Sequence, residues 1–141
     1  MLMGEYRYTI DAKGRLNFPA RFREEMGESF VVTRWLDHCL VAFPMEEFER
    51  VADAFAQKGM AKSRDIQRLL FAAAEEVHPD KQGRILLPAA LRQHAGLDKE
   101  VTIIGNRNHA ELWDTAAWDA YNQQLAENTA DLAATMEELG L

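Results

Sequence analysis

One five-residue pattern occurs twice in this chain, and that repetition limits the architectures open to it. Asp11-Ala12-Lys13-Gly14-Arg15 returns as Asp80-Lys81-Gln82-Gly83-Arg84, a shift of 80 − 11 = 69 positions. The flanks keep step. Leu16-Asn17-Phe18-Pro19 aligns with Ile85-Leu86-Leu87-Pro88, Phe22 with Leu91, Arg23 with Arg92 and Gly27 with Gly96. One extra residue then moves the shift to 113 − 43 = 70, which sets Val31 on Val101, Phe43 on Trp113 and Phe48 on Trp118. Stacked repeat architectures need at least about three units to bury a continuous core. Two copies imply instead one duplicated module folded against itself, and 141 residues suffice for two small halves sharing a core.

Each copy reads in the same order. Tyr6 to Ile10 is rich in aromatic and β-branched residues and predicts a strand. Asp11 to Gly14 predicts a turn, because Asp can accept from backbone amides two residues on and Gly tolerates positive φ. Arg15 to Phe18 resumes as a strand, so the motif is expected at a hairpin tip. Pro19 suits the first position of a helix carrying Phe22 and Met26 inward and ending at Gly27. Phe30 to Thr33 and Cys39 to Phe43 predict two further strands. Met45 to Gln57, with Phe48, Ala52 and Phe55 on one face, and Arg64 to Glu75, with Ile66, Leu69, Leu70 and Ala73, predict amphipathic helices. The second copy supplies a strand near Val77, the Asp80 turn, the Ile85 to Leu87 strand, a helix from Pro88 to Gly96, and strands at Val101 to Ile104 and Ala110 to Trp113. The tail sets Trp118, Tyr121, Leu125, Leu132, Met136 and Leu139 on a heptad-like stripe with Asn128 in the missing position. Such a stripe suits either a register-setting helix contact between chains or a terminal helix packed on its own domain.

The net charge of −7 argues at face value against a nucleic-acid partner, but the charge is unevenly placed. From Glu111 to Leu141 there is no Lys or Arg, whereas Arg7, Lys13, Arg15, Arg21 and Arg23 surround the first motif, and Lys81, Arg84 and Arg92 the second. No apolar run approaches the roughly 20 residues of a membrane span, and the first residues lack the apolar core of a secretion signal. The single Cys fits a reducing cytoplasm.

A turn holding Asp, Gly and Arg can do two things. The Asp can cap the turn and pair with the Arg as a solvated ion pair of about 0–1 kcal/mol. Alternatively, Arg15 and Arg84, aided by Lys13 and Lys81, can be presented to DNA. A two-stranded ribbon fits the major groove, Arg bonds bidentately to guanine or phosphate, and Lys serves as a phosphate contact. Retention of Asp, Gly and Arg while the intervening residues change favours the second role.

These residues resemble a known family. Gly4-Glu5-Tyr6, the run from Asp11 to Leu16, and Pro19 to Arg23 are similar to the start of MraZ. Gln67 to Leu70, Asp80 to Arg84, Leu91 to Leu97 and Glu111-Leu112-Trp113 are similar to its later parts, so the resemblance runs to about Trp118. It implies an α+β fold: a pseudo-twofold, swapped-hairpin (double-psi-like) β-barrel from two tandem AbrB-like repeats, with flanking helices. The expected division is residues 1–50 for the first repeat, 51–76 for connecting helices, 77–120 for the second repeat and 121–141 for an acidic C-terminal helix. The resemblance further implies a cytoplasmic, nucleoid-associated transcriptional regulator of the division and cell-wall gene cluster. It would bind short direct repeats in promoter DNA and assemble as a ring of eight or more subunits. Its DNA-binding loops map to Asp11 with Arg15 and Asp80 with Arg84; on the residue reading Lys13, Lys81 and Arg7 add basic contacts, and Asp11, Gly14, Asp80 and Gly83 shape the loops. Gln82 stands where the first loop has Lys13, so the two loops need not contact DNA equally. An acidic tail turned away from the DNA would confine binding to one face.

Other chemistry finds little support. His38 beside Cys39 lacks the partners of a metal or nucleophile site, and Cys39 heads an apolar strand. His94 and His109 read as structural or surface residues, and Trp35, Trp113 and Trp118 as packing. No cofactor, metal or enzymatic role is expected. The rival from another class is a structural assembly or protein-interaction module with no nucleic-acid role, its loops solvated and its tail or the Phe48/Phe55 helix binding a partner.

Overall fold

The computed structural model describes residues 1–141. Its first half runs β1 (Glu5–Thr9), β2 (Arg15–Asn17), α1 (Ala20–Met26), β3 (Phe30–Arg34), β4 (Leu40–Pro44) and α2 (Met45–Ala56). A helix α3 (Met60–Phe71) joins it to a second half of the same order: β5 (Glu75–Val77), β6 (Arg84–Leu86), α4 (Ala89–His94), β7 (Glu100–Asn106), β8 (His109–Asp114) and α5 (Thr115–Glu127). A last helix, α6 (Thr129–Glu138), extends beyond both. The helix expected over Arg64 to Glu75 starts and stops four residues earlier, after Gly59 at φ 85° and before β5 takes up the chain. Pro19 and Pro88 precede α1 and α4 as their N-caps.

Pairing between the halves, rather than within them, builds the sheets. All ladders are antiparallel: a six-stranded sheet in the order β1-β7-β8-β4-β3-β5, and a two-stranded ribbon of β2 with β6. Each half's first strand therefore pairs with the other half's β-hairpin, β1 on β7 and β5 on β3. The hairpins expected at the motif do not form, since β1 and β2 enter different sheets and the loop between them is a corner. The expected barrel does not close by hydrogen bonding either: β1 and β5 are the two ends of the sheet and do not pair with each other.

Two rungs locate a pseudo-twofold axis. Leu16 pairs with its own repeat equivalent Ile85, and 85 − 16 = 69. Val41 pairs with its own equivalent Glu111, and 111 − 41 = 70. Equivalent residues can face each other only where the axis passes, so it runs through the centre of the ribbon and the centre of the sheet.

The layer between ribbon and sheet is one core shared by both halves. Alternation along the strands turns Leu16, Ile85, Phe30, Val32, Ile103 and Leu112 into it, and α1 and α4 add Phe22 and Leu91. Phe18 stacks on Phe30 at 4.7 Å and meets Phe22 edge-on at 6.2 Å. The opposite face of the sheet is covered by α2, α3 and α5. Phe48 of α2 lies between Phe43 and Phe71. Arg34 caps the end of α3 by donating to the carbonyls of Leu69 (2.8 Å) and Arg68 (3.1 Å), as a cation at a helix C-terminus should. Trp118 and Tyr121 of α5 pack on Trp113 at 5.4 and 5.2 Å.

The tail stripe divides. Asn128 (φ −101°, ψ 30°) ends α5 and begins α6, so the expected seam is broken rather than continued through it. Trp118 and Tyr121 pack on their own domain, whereas Leu132, Met136 and Leu139 on α6 are exposed.

Candidate nucleic-acid interface

The two loops are built alike to the atom. Asp11 Oδ1 accepts from the backbone N–H of Lys13 and of Arg15, both at 2.9 Å, and Oδ2 accepts from Arg15 Nε at 2.7 Å. Asp80 Oδ1 accepts from the N–H of Gln82 (2.9 Å) and Arg84 (3.0 Å), and Oδ2 from Arg84 Nε at 3.1 Å. Backbone bonds from the Asp amides to the Arg carbonyls close each loop, Asp11 to Arg15 at 3.0 Å and Asp80 to Arg84 at 2.9 Å. Donation from the Arg15 backbone, then from its guanidinium, holds the Asp11 carboxyl below its ordinary value. Donation from the Arg84 backbone leads in doing the same for Asp80. Both capping roles considered for the Asp therefore operate together: it closes the turn and it binds the Arg.

That arrangement fixes what the arginines can offer. With Nε held by its own Asp, each guanidinium keeps its Nη groups for an outside acceptor. Each Arg–Asp pair is formally neutral, so Lys13 and Lys81 carry the excess positive charge while the arginines provide directed donors.

The ribbon brings the two arginines together. Arg15 stands opposite Leu86 and Arg84 opposite Asn17, on the outward side of strands whose inward residues, Leu16 and Ile85, are each 1% exposed. Arg15 and Arg84 are thus diagonal neighbours on one face, a relation that places Cβ atoms within about 7–8 Å. Neither guanidinium is locked inside the protein, the side chains being 43% and 34% exposed.

Each loop is propped from the other half. Phe18 N–H donates to Gly83 O and Leu87 N–H to Gly14 O, both at 2.9 Å. Arg23 donates from Nε to Phe18 O at 3.1 Å and lies over Gly83, and Arg92 donates to Leu87 O at 3.0 Å and lies over Gly14. Gly14 and Gly83 have φ of 88° and 80°, so they meet two demands, a left-handed backbone and a close neighbour. Arg23 and Arg92, grouped with the basic surface in the sequence, are supports for these corners.

Arg7 is not brought to this face. Its guanidinium bonds Asp119 of α5 at 2.5 Å and Glu5 at 3.4 Å, and the Asp119 bond leads in raising its pKa. Alternation about Leu16 and Ile85 also exposes Asn17 and Leu86 beside the arginines, two residues that motif matching passed over but a period-two reading of the strands would have marked.

The remaining reactive groups lie elsewhere. Burial, followed by the charges of Glu111 and Asp37, pushes the Cys39 thiol far up, which suits an inert core residue. Glu111 lies near the axis on the outer side of the sheet. Burial pushes its carboxyl up, but the His109 ring, with Nε2 3.6 Å away, and hydrogen bonds from Trp113 Nε1 (3.0 Å) and Asn106 Nδ2 (3.4 Å) outweigh it and leave the value lowered. No cluster of three His, Cys, Asp or Glu side chains is placed to hold a metal ion, and no helix is long and apolar enough to cross a membrane.

Comparison with known proteins agrees with the duplication. The family model described as "MraZ protein, putative antitoxin-like" matches residues 1–69 and again 70–139. The protein named transcriptional regulator MraZ from Halothermothrix orenii is 43% identical over 143 aligned positions, covering 100% of both chains. Its namesake from Symbiobacterium thermophilum is 45% identical, covering 98% of this chain and 99% of its own. That from Carboxydothermus hydrogenoformans is 49% identical over 86% of each.

Proposed function

The chain belongs to the MraZ family, and from that premise we propose that it is a DNA-binding transcriptional regulator, not an enzyme, gripping duplex DNA with the outward face of the β2/β6 ribbon. The observation that carries the reading is the placing of Arg15 and Arg84 side by side with their Nη groups free. A two-stranded ribbon has the width to enter the major groove, and a guanidinium held at Nε still presents a fork to a guanine edge or a phosphate. Lys13 and Lys81 add phosphate contacts that position without specifying. Asp11, Gly14, Asp80 and Gly83 shape the loops. Arg7 is an outer contact at most, in competition with Asp119.

The finer picture follows the family resemblance. The exchange of first strands between halves is read as its swapped-hairpin arrangement, open between β1 and β5, with repeats over residues 1–50 and 77–120, connecting helices over 51–76 and an acidic helix over 121–141. The regulated genes are those of the division and cell-wall cluster, the binding sites short direct repeats in the promoter, and the location the cytoplasm at the nucleoid. A few basic side chains per subunit give modest affinity, which a ring of eight or more subunits multiplies by avidity when site spacing matches subunit spacing. The exposed Leu132, Met136 and Leu139 of α6 give such an assembly an apolar surface to use.

The test is fluorescence anisotropy on duplexes from the promoter of the chain's own operon against composition-matched scrambled duplexes. Tighter binding to the promoter duplex, lost when its repeats are disrupted, supports the reading. Equal or absent binding to both refutes it and favours a protein-interaction module.

A further inference from the structure

The pseudo-twofold axis that crosses the ribbon makes its outward face almost symmetric, and the departures from symmetry are informative. Arg15 and Arg84 are repeat equivalents and chemically identical. The residues on the other diagonal of the same face, Asn17 and Leu86, are also equivalents, 86 − 17 = 69, and chemically unlike. Both point outward, and Leu86 is 59% exposed on the ribbon's outer face, where no packing need retains an apolar side chain. A truly symmetric ribbon would read a palindrome, because each half would meet the same base edges on opposite strands.

Resting on the DNA-binding reading above, we propose that Asn17 and Leu86 are the base-reading residues that give each subunit a direction on the duplex. Asn17 takes an adenine edge and Leu86 packs against a thymine methyl group. The chemistry follows from the groove. A carboxamide offers the donor and acceptor that match adenine N7 and N6, whereas an aliphatic side chain has only the thymine C5-methyl as a favourable partner there. Each reader has one arginine across the ribbon and another two residues away on its own strand, and these anchor it against the groove. Because one half reads by hydrogen bonding and the other by apolar contact, rotating the subunit by half a turn about its axis gives a different, poorer match. Successive subunits must therefore bind sites of the same polarity, as direct repeats provide. The contrast of Lys13 with Gln82 at the loop tips acts in the same sense.

The experiment uses the best-bound duplex selected in vitro from a random library, with base analogues introduced one position at a time. For the native chain, 7-deazaadenine, which lacks the N7 acceptor, weakens binding about 5- to 150-fold at one adenine, and uracil in place of thymine weakens it at one thymine. In Asn17→Ala the adenine position becomes insensitive while the thymine position does not, and in Leu86→Ala the reverse holds. Both variants keep the native salt dependence, since neither residue neutralises a phosphate. Analogue sensitivity that persists in the variants overturns the proposal, as does a uniform loss of affinity on all duplexes with a shallower salt dependence. In either case binding by the native chain that still requires Arg15 and Arg84 leaves the DNA-binding reading standing. Absence of any duplex binding by the native chain overturns both.

Discussion

Adding one methyl group at Gly14 tests whether the loops are propped across the molecule. A Cβ built there falls 2.5 Å from Leu87 O and 3.0 Å from Arg92 Nε. The carbonyl belongs to backbone and also accepts from Arg92, so it cannot move aside without breaking the corner. Gly14→Ala thus incurs left-handed strain of about 1–2 kcal/mol and overpacking of about 1–3 kcal/mol, together about 2–5 kcal/mol. Gly96 is the control. Its φ of 59° is also left-handed, but nothing lies within 4 Å of its Cβ position. Gly96→Ala incurs the strain alone, about 1–2 kcal/mol. Urea denaturation of the three proteins measures the difference, provided the slope with denaturant is unchanged. Gly14→Ala should be the less stable by about 1–3 kcal/mol and should also bind DNA more weakly, because Arg15 follows Gly14 directly. Equal stability of Gly14→Ala and Gly96→Ala would refute the crossed packing. Gly83→Ala should lie between them, since its Cβ meets the flexible end of Arg23, at 2.6 Å from Cζ, rather than backbone.

Two further outcomes follow from the titrating groups. Asp11 and Asp80 are held below their ordinary value of 3.8, so the order they give the loops is complete above that value and is lost as pH falls through the lowered one. The amide resonances of Lys13, Arg15, Gln82 and Arg84 should therefore titrate with midpoints below 3.8; midpoints at or above it would contradict the capping. Glu111 is likewise lowered from 4.5, so its contribution is present above that value and fades as pH falls through the lowered one. Glu111→Gln should lower stability by about 1–3 kcal/mol at neutral pH, with the gap to the native chain narrowing on acidification; a gap independent of pH would show that the charge contributes nothing.

The repeat, the loop chemistry and most element types were legible because they are local. Asp11 and Asp80 cap as their spacing requires, the Phe22 helix follows Pro19, and Phe48 and Phe55 mark the inner face of α2. Pairing was not legible. A period-two pattern states which residues face the core but not which strand lies alongside, and here β1 reaches past its own half to β7. The hairpin expectation failed for that reason, and with it the exact geometry of the arginines. The crossed supports of Arg23 and Arg92 depend on the same long-range contacts and carry no sequence signal beyond their equivalence. Asn128 was misleading in a different way: on a heptad count it fills a seam, but its backbone leaves the helix, and a polar side chain at a helix junction fits both patterns.

The claim on which the account depends is that Arg15 and Arg84 form one DNA-contacting face. Its most direct test is the dependence of duplex affinity on salt for the native chain and for Arg15→Ala/Arg84→Ala, with unchanged thermal unfolding as the control. The account predicts a steep fall of affinity with salt for the native chain. In the double variant affinity should drop at least about tenfold and the slope should be shallower by roughly 0.9 for each lost phosphate contact. Native affinity and native slope in the double variant would contradict it.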